Sequence, residues 1–164
     1  MNFFLRTAIL KMGCVFFILF SLISGCTEID LYEKNTPIPN MQWSSDYSAK
    51  GTFLIKDTTS TYNVFLVLRH TDAYSYNNIW LNIGLQSPAD TGLLYQKINL
   101  SLGNDADGWS GVGMNDIWER REQISGTPKR FLKTGFYNFS IAQIMRDNPL
   151  KNIISVGIRI EKAK

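Results

Sequence analysis

The chain has 164 residues, with 17 basic and 14 acidic side chains, one histidine and two cysteines. Arg6 and Lys11 belong to an N-terminal segment that reads as removable, so the remaining 139 residues carry 15 basic groups against 14 acidic ones. That near-neutral balance, without a basic block, argues against nucleic acid as a partner, and the length suffices for one domain with a substantial core.

The N-terminal segment has the parts of an export signal. Arg6 and Lys11 supply the positive start, Val15 to Ile23 an apolar block interrupted by Ser21, and Ser24 and Gly25 the small residues before Cys26. The apolar stretch from Met12 to Gly25 is too short to cross roughly 30 Å of hydrocarbon comfortably. An aliphatic residue, two small ones and a cysteine form a bacterial lipoprotein box. The small residues let the extended chain enter a narrow peptidase while the thiol receives its lipid. Residues 1–25 are therefore expected to be a lipoprotein signal peptide, and Cys26 the acylated first residue of the mature chain. Each buried methylene contributes about 0.8 kcal/mol, so two or more acyl chains anchor stably. Membrane lipid is thus the first expected partner. Thr27 stands where an aspartate would favour inner-membrane retention in enteric bacteria, which points to the outer membrane. Cys14 leaves with the signal and Cys26 is taken by lipid, so neither a disulfide nor a cysteine metal site is expected.

Residues 26–40 read as a tether kept extended by Pro37 and Pro39, with Tyr32 and Trp43 available to dock its far end. Its extended limit is about 40 Å. The domain is expected over 41–164. Alternating or apolar runs predict strands at Gly51–Lys56, Tyr62–Arg69, Asn78–Gln86, Tyr95–Leu102, Phe136–Ser140 and Ile153–Glu161. In the last of these Ile154, Val156, Ile158 and Ile160 share one face. Asp57–Ser60, Ser87–Gly92 and Gly103–Gly108 read as turns. Strands with one wet face belong in antiparallel sheets, so the expected fold is an all-β antiparallel sandwich. Gly103 to Gly126 is expected as one long loop. Ser140 and Gln143 have capping-box spacing, predicting a short C-terminal helix through Arg146 that Asn148-Pro149 would stop.

Several groups invite a chemical reading. His70, the single histidine, lacks a marked nucleophile or orienting acid and reads as a surface or turn residue. Asn104-Asp105-Ala106-Asp107-Gly108 resembles the opening of a calcium loop, making Asp105, Asp107 and Asp116 candidate ligands. The ninth-position ligand and flanking helices of an EF-hand are missing, and Asp-Gly is equally a plain turn. Asp116, Glu119 and Glu122 would share one helix face, alternating with Arg120 and Arg121 as solvated residues do. Gly111-Val112-Gly113 lacks the context of a dinucleotide fingerprint. Trp80, Trp109 and Trp118 could stack on sugar rings as a glycan contact, or simply pack; Trp80 is on the polar side of its strand. Arg146, Asp147 and Asn148 form a charged turn that either contacts a partner or closes a helix. No catalytic residue and no cofactor site is assigned.

The stretch from Phe139 to Leu150, with Gln143-Ile144-Met145-Arg146-Asp147-Asn148-Pro149-Leu150 its strongest part, resembles the gliding-motility lipoprotein H family. Val156 to Lys162, Tyr62-Asn63, the strand containing Asn82, the loop around Gly111 and the lipoprotein box fit it too. The resemblance implies an envelope lipoprotein needed for gliding, with a wider role in envelope assembly or secretion, and protein partners in that machinery. It brings no active site. Intact-mass measurement of membrane-extracted protein is expected to show lipid on an N-terminal Cys26; an unmodified N-terminus elsewhere overturns the lipoprotein reading.

Overall fold

The computed structural model describes residues 31–163, and their regular structure is almost entirely strand. In chain order the strands are β1 (Leu31–Pro37), β2 (Gln42–Trp43), β3 (Ser48–Ile55), β4 (Tyr62–Thr71), β5 (Asn78–Gln86), β6 (Leu94–Ser101) and β7 (Gly103–Asn104). They continue with β8 (Gly108–Trp109), β9 (Val112–Met114), β10 (Ile117–Gln123), β11 (Gly135–Gln143), β12 (Leu150–Lys151) and β13 (Ile153–Lys162). A five-stranded sheet, β1-β13-β4-β10-β9, faces a four-stranded one, β3-β11-β5-β6, and two short ribbons, β12-β2 and β7-β8, close one end. All pairings are antiparallel, as the half-polar strands require.

The period of two decides what is buried. β4 turns Tyr62, Leu66 and Leu68 inward, and β13 does the same with Val156, Ile158 and Ile160. Facing them are Ile79, Leu81 and Ile83 of β5 and Tyr137, Phe139 and Ile141 of β11. Phe131, in the connection between β10 and β11, bridges the sheets at one end. Its ring lies 5.6 Å from Tyr62 of one sheet, and 5.7 and 4.9 Å from Phe53 and Tyr137 of the other.

Four expectations about the strands and their connections need correction. Leu31–Pro37, placed in the tether 26–40, forms β1 and pairs along its whole length with β13. Residues 26–30 of that tether, the signal 1–25 and Cys26 lie outside the described residues. The expected loop from Gly103 to Gly126 holds two hairpins, β7–β8 and β9–β10, and β10 is a full strand that pairs with β4 from Ile117↔Thr71 to Gln123↔Phe65. The expected helix from Ser140 is absent: β11 runs on to Gln143. The Gln143 amide instead donates to the carbonyls of Trp43 and Asp147, both at 3.3 Å, and its oxygen accepts from the Met145 N–H at 2.7 Å. Capping-box spacing here comes from a buried glutamine that closes a turn. Finally, a register shift between Ile153 and Ser155 puts Ile153 in the core and turns Ile154 toward the outer groove lined by Arg69 and Val112.

The outer face of the five-stranded sheet carries a ladder of ion pairs. Arg69 meets Glu119 at 2.6 Å, Glu119 meets Arg121 at 3.0 Å, and Glu33 joins Arg121 at 3.9 Å and Arg159 at 2.9 Å. Single exposed pairs contribute only about 0–1 kcal/mol. Their bulk still matters, because Val67 lies on this outer face and is only 1% exposed. On the inner side of β10, Arg120 pairs with Glu122.

Each outermost strand meets its neighbour through a glycine. Gly51 of β3 lies opposite Phe139, Gly84 opposite Tyr95 of β6, and Gly113 of β9 opposite Trp118. The ring covers the glycine each time, so a Cβ at Gly84 or Gly113 would come within 2.8 or 2.9 Å of it. At β1 the backbone of Lys34 and Asn35, with the Asn35 side-chain oxygen, closes directly over Gly157 and leaves no room for a Cβ.

His70 contradicts its reading as a surface residue: it is fully buried on the inner face of β4. Its Nδ1 donates to the Thr71 carbonyl at 2.8 Å, which fixes the proton on Nδ1, and Nε2 has no partner among the described residues. Burial holds its pKa below the ordinary value, opposed in part by the Thr71 bond. The unfolded histidine takes a proton near pH 6.5, and the folded one only at lower pH. Stability is therefore full above about pH 6.5 and falls as the pH drops toward the folded pKa. Denaturant melts of His70→Leu are expected to lose that dependence below about pH 6.5. Gly51→Ala is expected to cost about 1–3 kcal/mol by overpacking against the Phe139 ring, read as a lower denaturation midpoint.

Candidate functional site

Strand direction separates the sandwich into two ends. At one, β4 begins at Tyr62, β13 finishes at Lys162 and β1 begins at Leu31. At the other, β4 ends at Thr71, β11 at Gln143 and β10 begins at Ile117. This second end is built around the connection between β4 and β5. A turn from Thr71 to Tyr74 starts it (Tyr74 N–H to Thr71 carbonyl, 3.1 Å), and Asp72 N–H reaches the Asp116 carbonyl at 2.8 Å. The Asn152 amide holds the Ala73 carbonyl at 2.7 Å.

Tyr74 points inward, its hydroxyl donating to the Asn78 carbonyl at 3.1 Å, and burial raises its pKa. Its ring lies 5.8 Å from Tyr76 and 6.3 Å from Trp109, and Trp109 meets His70 edge-on at 4.6 Å. Tyr76 reaches out and donates to Asp147 Oδ2 at 2.7 Å; that bond is the main cause of its raised pKa. Two open grooves flank the connection. One, of about 340 Å³, runs past Asn104, Asp105 and Trp109. The other, of about 550 Å³, runs past Arg146, Asn148 and Lys151.

The charged turn Arg146-Asp147-Asn148 forms a wall of this second groove. Asp147 is held by Tyr76, and Asn148 Oδ1 accepts from the Ser45 N–H at 2.9 Å, so two of the three side chains shape the turn itself. The peptide between Asn148 and Pro149 is cis. Arg146 and Lys151 are exposed on the groove.

The candidate calcium ligands do not converge. Asn104 Oδ1 accepts from the N–H groups of Ala106 and Asp107 at 2.9 and 2.8 Å, and its amide donates to Asp107 Oδ2, closing the β7–β8 turn. Asp116 belongs to a different turn, between β9 and β10. Among the described residues no group of three or more His, Cys, Asp or Glu is placed to hold a metal ion. Asp116, Glu119 and Glu122 share no helix face, since β10 is a strand with Glu119 outward and Glu122 inward.

The three tryptophans are not brought onto one surface. Trp118 covers Gly113 beside His70, and Trp109 packs on His70 and Tyr74. Trp80 alone is on the wet face of the four-stranded sheet, 43% exposed, beside Asn99. That face also presents Tyr95, which the sequence reading passed over. Its position in the alternation with Lys97 and Asn99 was the available signal. Nothing in the sequence marked Tyr74 and Tyr76 as the centre of an end surface, because they lie in an irregular connection.

The GldH lipoprotein family matches this chain over residues 30–160. A gliding motility lipoprotein GldH homolog of Christiangramia forsetii is 27% identical, covering 91% of this chain and 95% of its own length. The gliding motility lipoprotein GldH of Flavobacterium johnsoniae is 24% identical over 86% and 90%. Among solved structures, a chain from the X-ray structure of tomato aspermy virus aligns with a TM-score of 0.38 and 12% identity, over 86% of this chain and 81% of that one. With its family match spanning nearly all of the described strands, this chain belongs to the GldH lipoprotein family.

Proposed function

We propose that this lipoprotein is a non-catalytic docking component of the gliding-motility or secretion apparatus, held in the outer membrane by acylated Cys26 and presenting the Tyr74–Asn77 end to envelope proteins. The observation that carries this reading is the direction of β1. It begins at Leu31, at the opposite end of the sandwich from Tyr76, Arg146 and Lys151. Cys26 precedes Leu31 by five residues, a reach of at most about 17 Å, so the anchored end stays at the bilayer while the grooved end faces away. Confinement of this kind replaces bimolecular encounter with a high effective concentration, the gain expected of a docking module. The polar groups of the grooved end are used in holding its own loops, and its exposed charges suit recognition better than proton transfer. The naming of both relatives as gliding motility lipoproteins supports the setting.

A second reading, a surface glycan-binding module, is favoured by Trp80 and Tyr95 on one wet sheet face among Asn82, Asn99 and Lys97. The two separate by mutation. Arg146→Glu with Lys151→Glu is expected to abolish co-purification of envelope proteins and rescue of gliding in a strain lacking the protein, with the fold unchanged by circular dichroism. Trp80→Ala is expected to leave both intact. The reverse pattern, with glycan binding lost on Trp80→Ala, replaces the docking reading. Cys26→Ala behind a cleavable non-lipid signal is expected to fold and fail to restore gliding.

A further inference from the structure

We propose that the end of the sandwich where β1 begins is itself a membrane-contacting face, seated on anionic lipid headgroups with Leu132 and Phe136 entering the interface. The inference rests on the reading of Cys26 as the acylated residue, and adds to it a specific orientation of the domain. The connection from Ile124 to Thr134 carries it. Phe131 is buried between the sheets, while its neighbour Leu132 is 82% exposed and flanked by Arg130 and Lys133. The segment is well held. Lys129 and Tyr62 exchange both backbone bonds at 2.8 Å, Arg130 donates to the Thr59 carbonyl at 2.9 Å, and the Tyr137 hydroxyl donates to the Lys133 carbonyl at 2.9 Å. An ordered loop thus presents an apolar side chain between two cations. Beside it, Phe136 and its cross-strand partner Leu54 are 65% and 44% exposed.

Charge follows the same axis. At this end the connections 56–61, 87–93 and 124–134 contribute Lys56, Lys129, Arg130 and Lys133 against Asp57 and Asp90, and the residues between Cys26 and Leu31 add Glu28 and Asp30. Asp57 is taken up by Lys162 at 2.9 Å and by the Thr59 and Ser60 hydroxyls, which hold its carboxyl well below the usual range. The connections at the far end contribute Asp46, Asp72, Asp105, Asp107, Asp116 and Asp147 against Arg146 and Lys151. An anionic leaflet therefore favours the first end, where bases and acids balance and Asp57 is paired, over the second, where acids predominate. Apolar side chains set among cations are the composition of an interfacial contact, and an acyl chain plus a basic patch is a combination that anchors stably. The short reach from Cys26 to Leu31 leaves this end against the headgroups in any case.

The test uses the full acylated protein in vesicles of phosphatidylethanolamine and phosphatidylglycerol. The mature chain has no cysteine besides Cys26, so Leu132→Cys gives one labelling site, and Asp105→Cys gives the control at the far end. An environment-sensitive fluorophore at position 132 is expected to shift to the blue and to be quenched several-fold more by brominated lipid than the same probe at 105. Arg130→Glu with Lys133→Glu is expected to lower the docked-to-free ratio roughly five-fold per base removed. Protein that floats with the vesicles while the 132 probe reports water overturns the docking face and leaves the anchor standing. Protein that does not float overturns the anchor and the docking together. A blue-shifted probe that brominated lipid does not quench, in protein that crosslinks to itself, puts a second copy on this face and overturns the lipid assignment.

Discussion

The register between each outer strand and its neighbour holds this sandwich to one arrangement. Three glycines, Gly51, Gly84 and Gly113, sit opposite a ring that lies down over them, Phe139, Tyr95 and Trp118, and a fourth, Gly157, is closed over by the backbone of Lys34 and Asn35. A strand that slips by one residue exchanges its buried and solvated faces. At these four places a slip would also drive a ring or the neighbouring backbone into a Cβ. The edges of both sheets are fixed by steric exclusion that no average hydrophobic pattern supplies. That specificity matters here because the described chain has no disulfide to enforce it.

The same feature explains how much could be read from the sequence. β4, β5, β6 and β13 announce themselves, since one face of each meets the core and the other meets water. β1 does not: Leu-Tyr-Glu-Lys-Asn-Thr-Pro alternates no apolar residues, because the strand lies at an edge and turns Glu33 and Asn35 toward the ion-pair ladder. β10 fails for a different reason. Charged residues occupy both of its faces, Glu119 and Arg121 outside and Arg120 and Glu122 inside, so the period of two vanishes. Inward charges near a sheet edge are a known device against edge-to-edge aggregation, and they erase the signal that would identify the strand.

The short helix was a false signal of the opposite kind. Ser140 and Gln143 match a local rule, yet both are buried in β11, and Gln143 serves the distant Trp43 carbonyl as well as that of Asp147 in the following turn. Tertiary hydrogen bonding selects a glutamine there, and the spacing to the serine is incidental. His70 was misplaced because it ends a run next to Arg69, whereas its partners, Trp109, Tyr74 and Trp118, come from three other segments. The charged turn Arg146–Asn148 is legible in the sequence as a turn, and the structure places it beside a groove. Its grooves required Tyr76, which no local pattern connects to it.

Pairing of β1 along its full length with β13 has a mechanical consequence. On the proposed arrangement, a pull from the membrane would enter the domain at Leu31, while a load held at the Tyr76 end would act on the opposite side of the sandwich. The force then runs parallel to β1, so its seven register positions against β13, from Leu31↔Glu161 to Pro37↔Ser155, are sheared together. Had the strand been approached from its other end, the same bonds would have opened one after another like a zipper. In shear they share the tension, and rupture requires many to break at once. A domain anchored through β1 and loaded from its far end would thus be held along its stiffest direction.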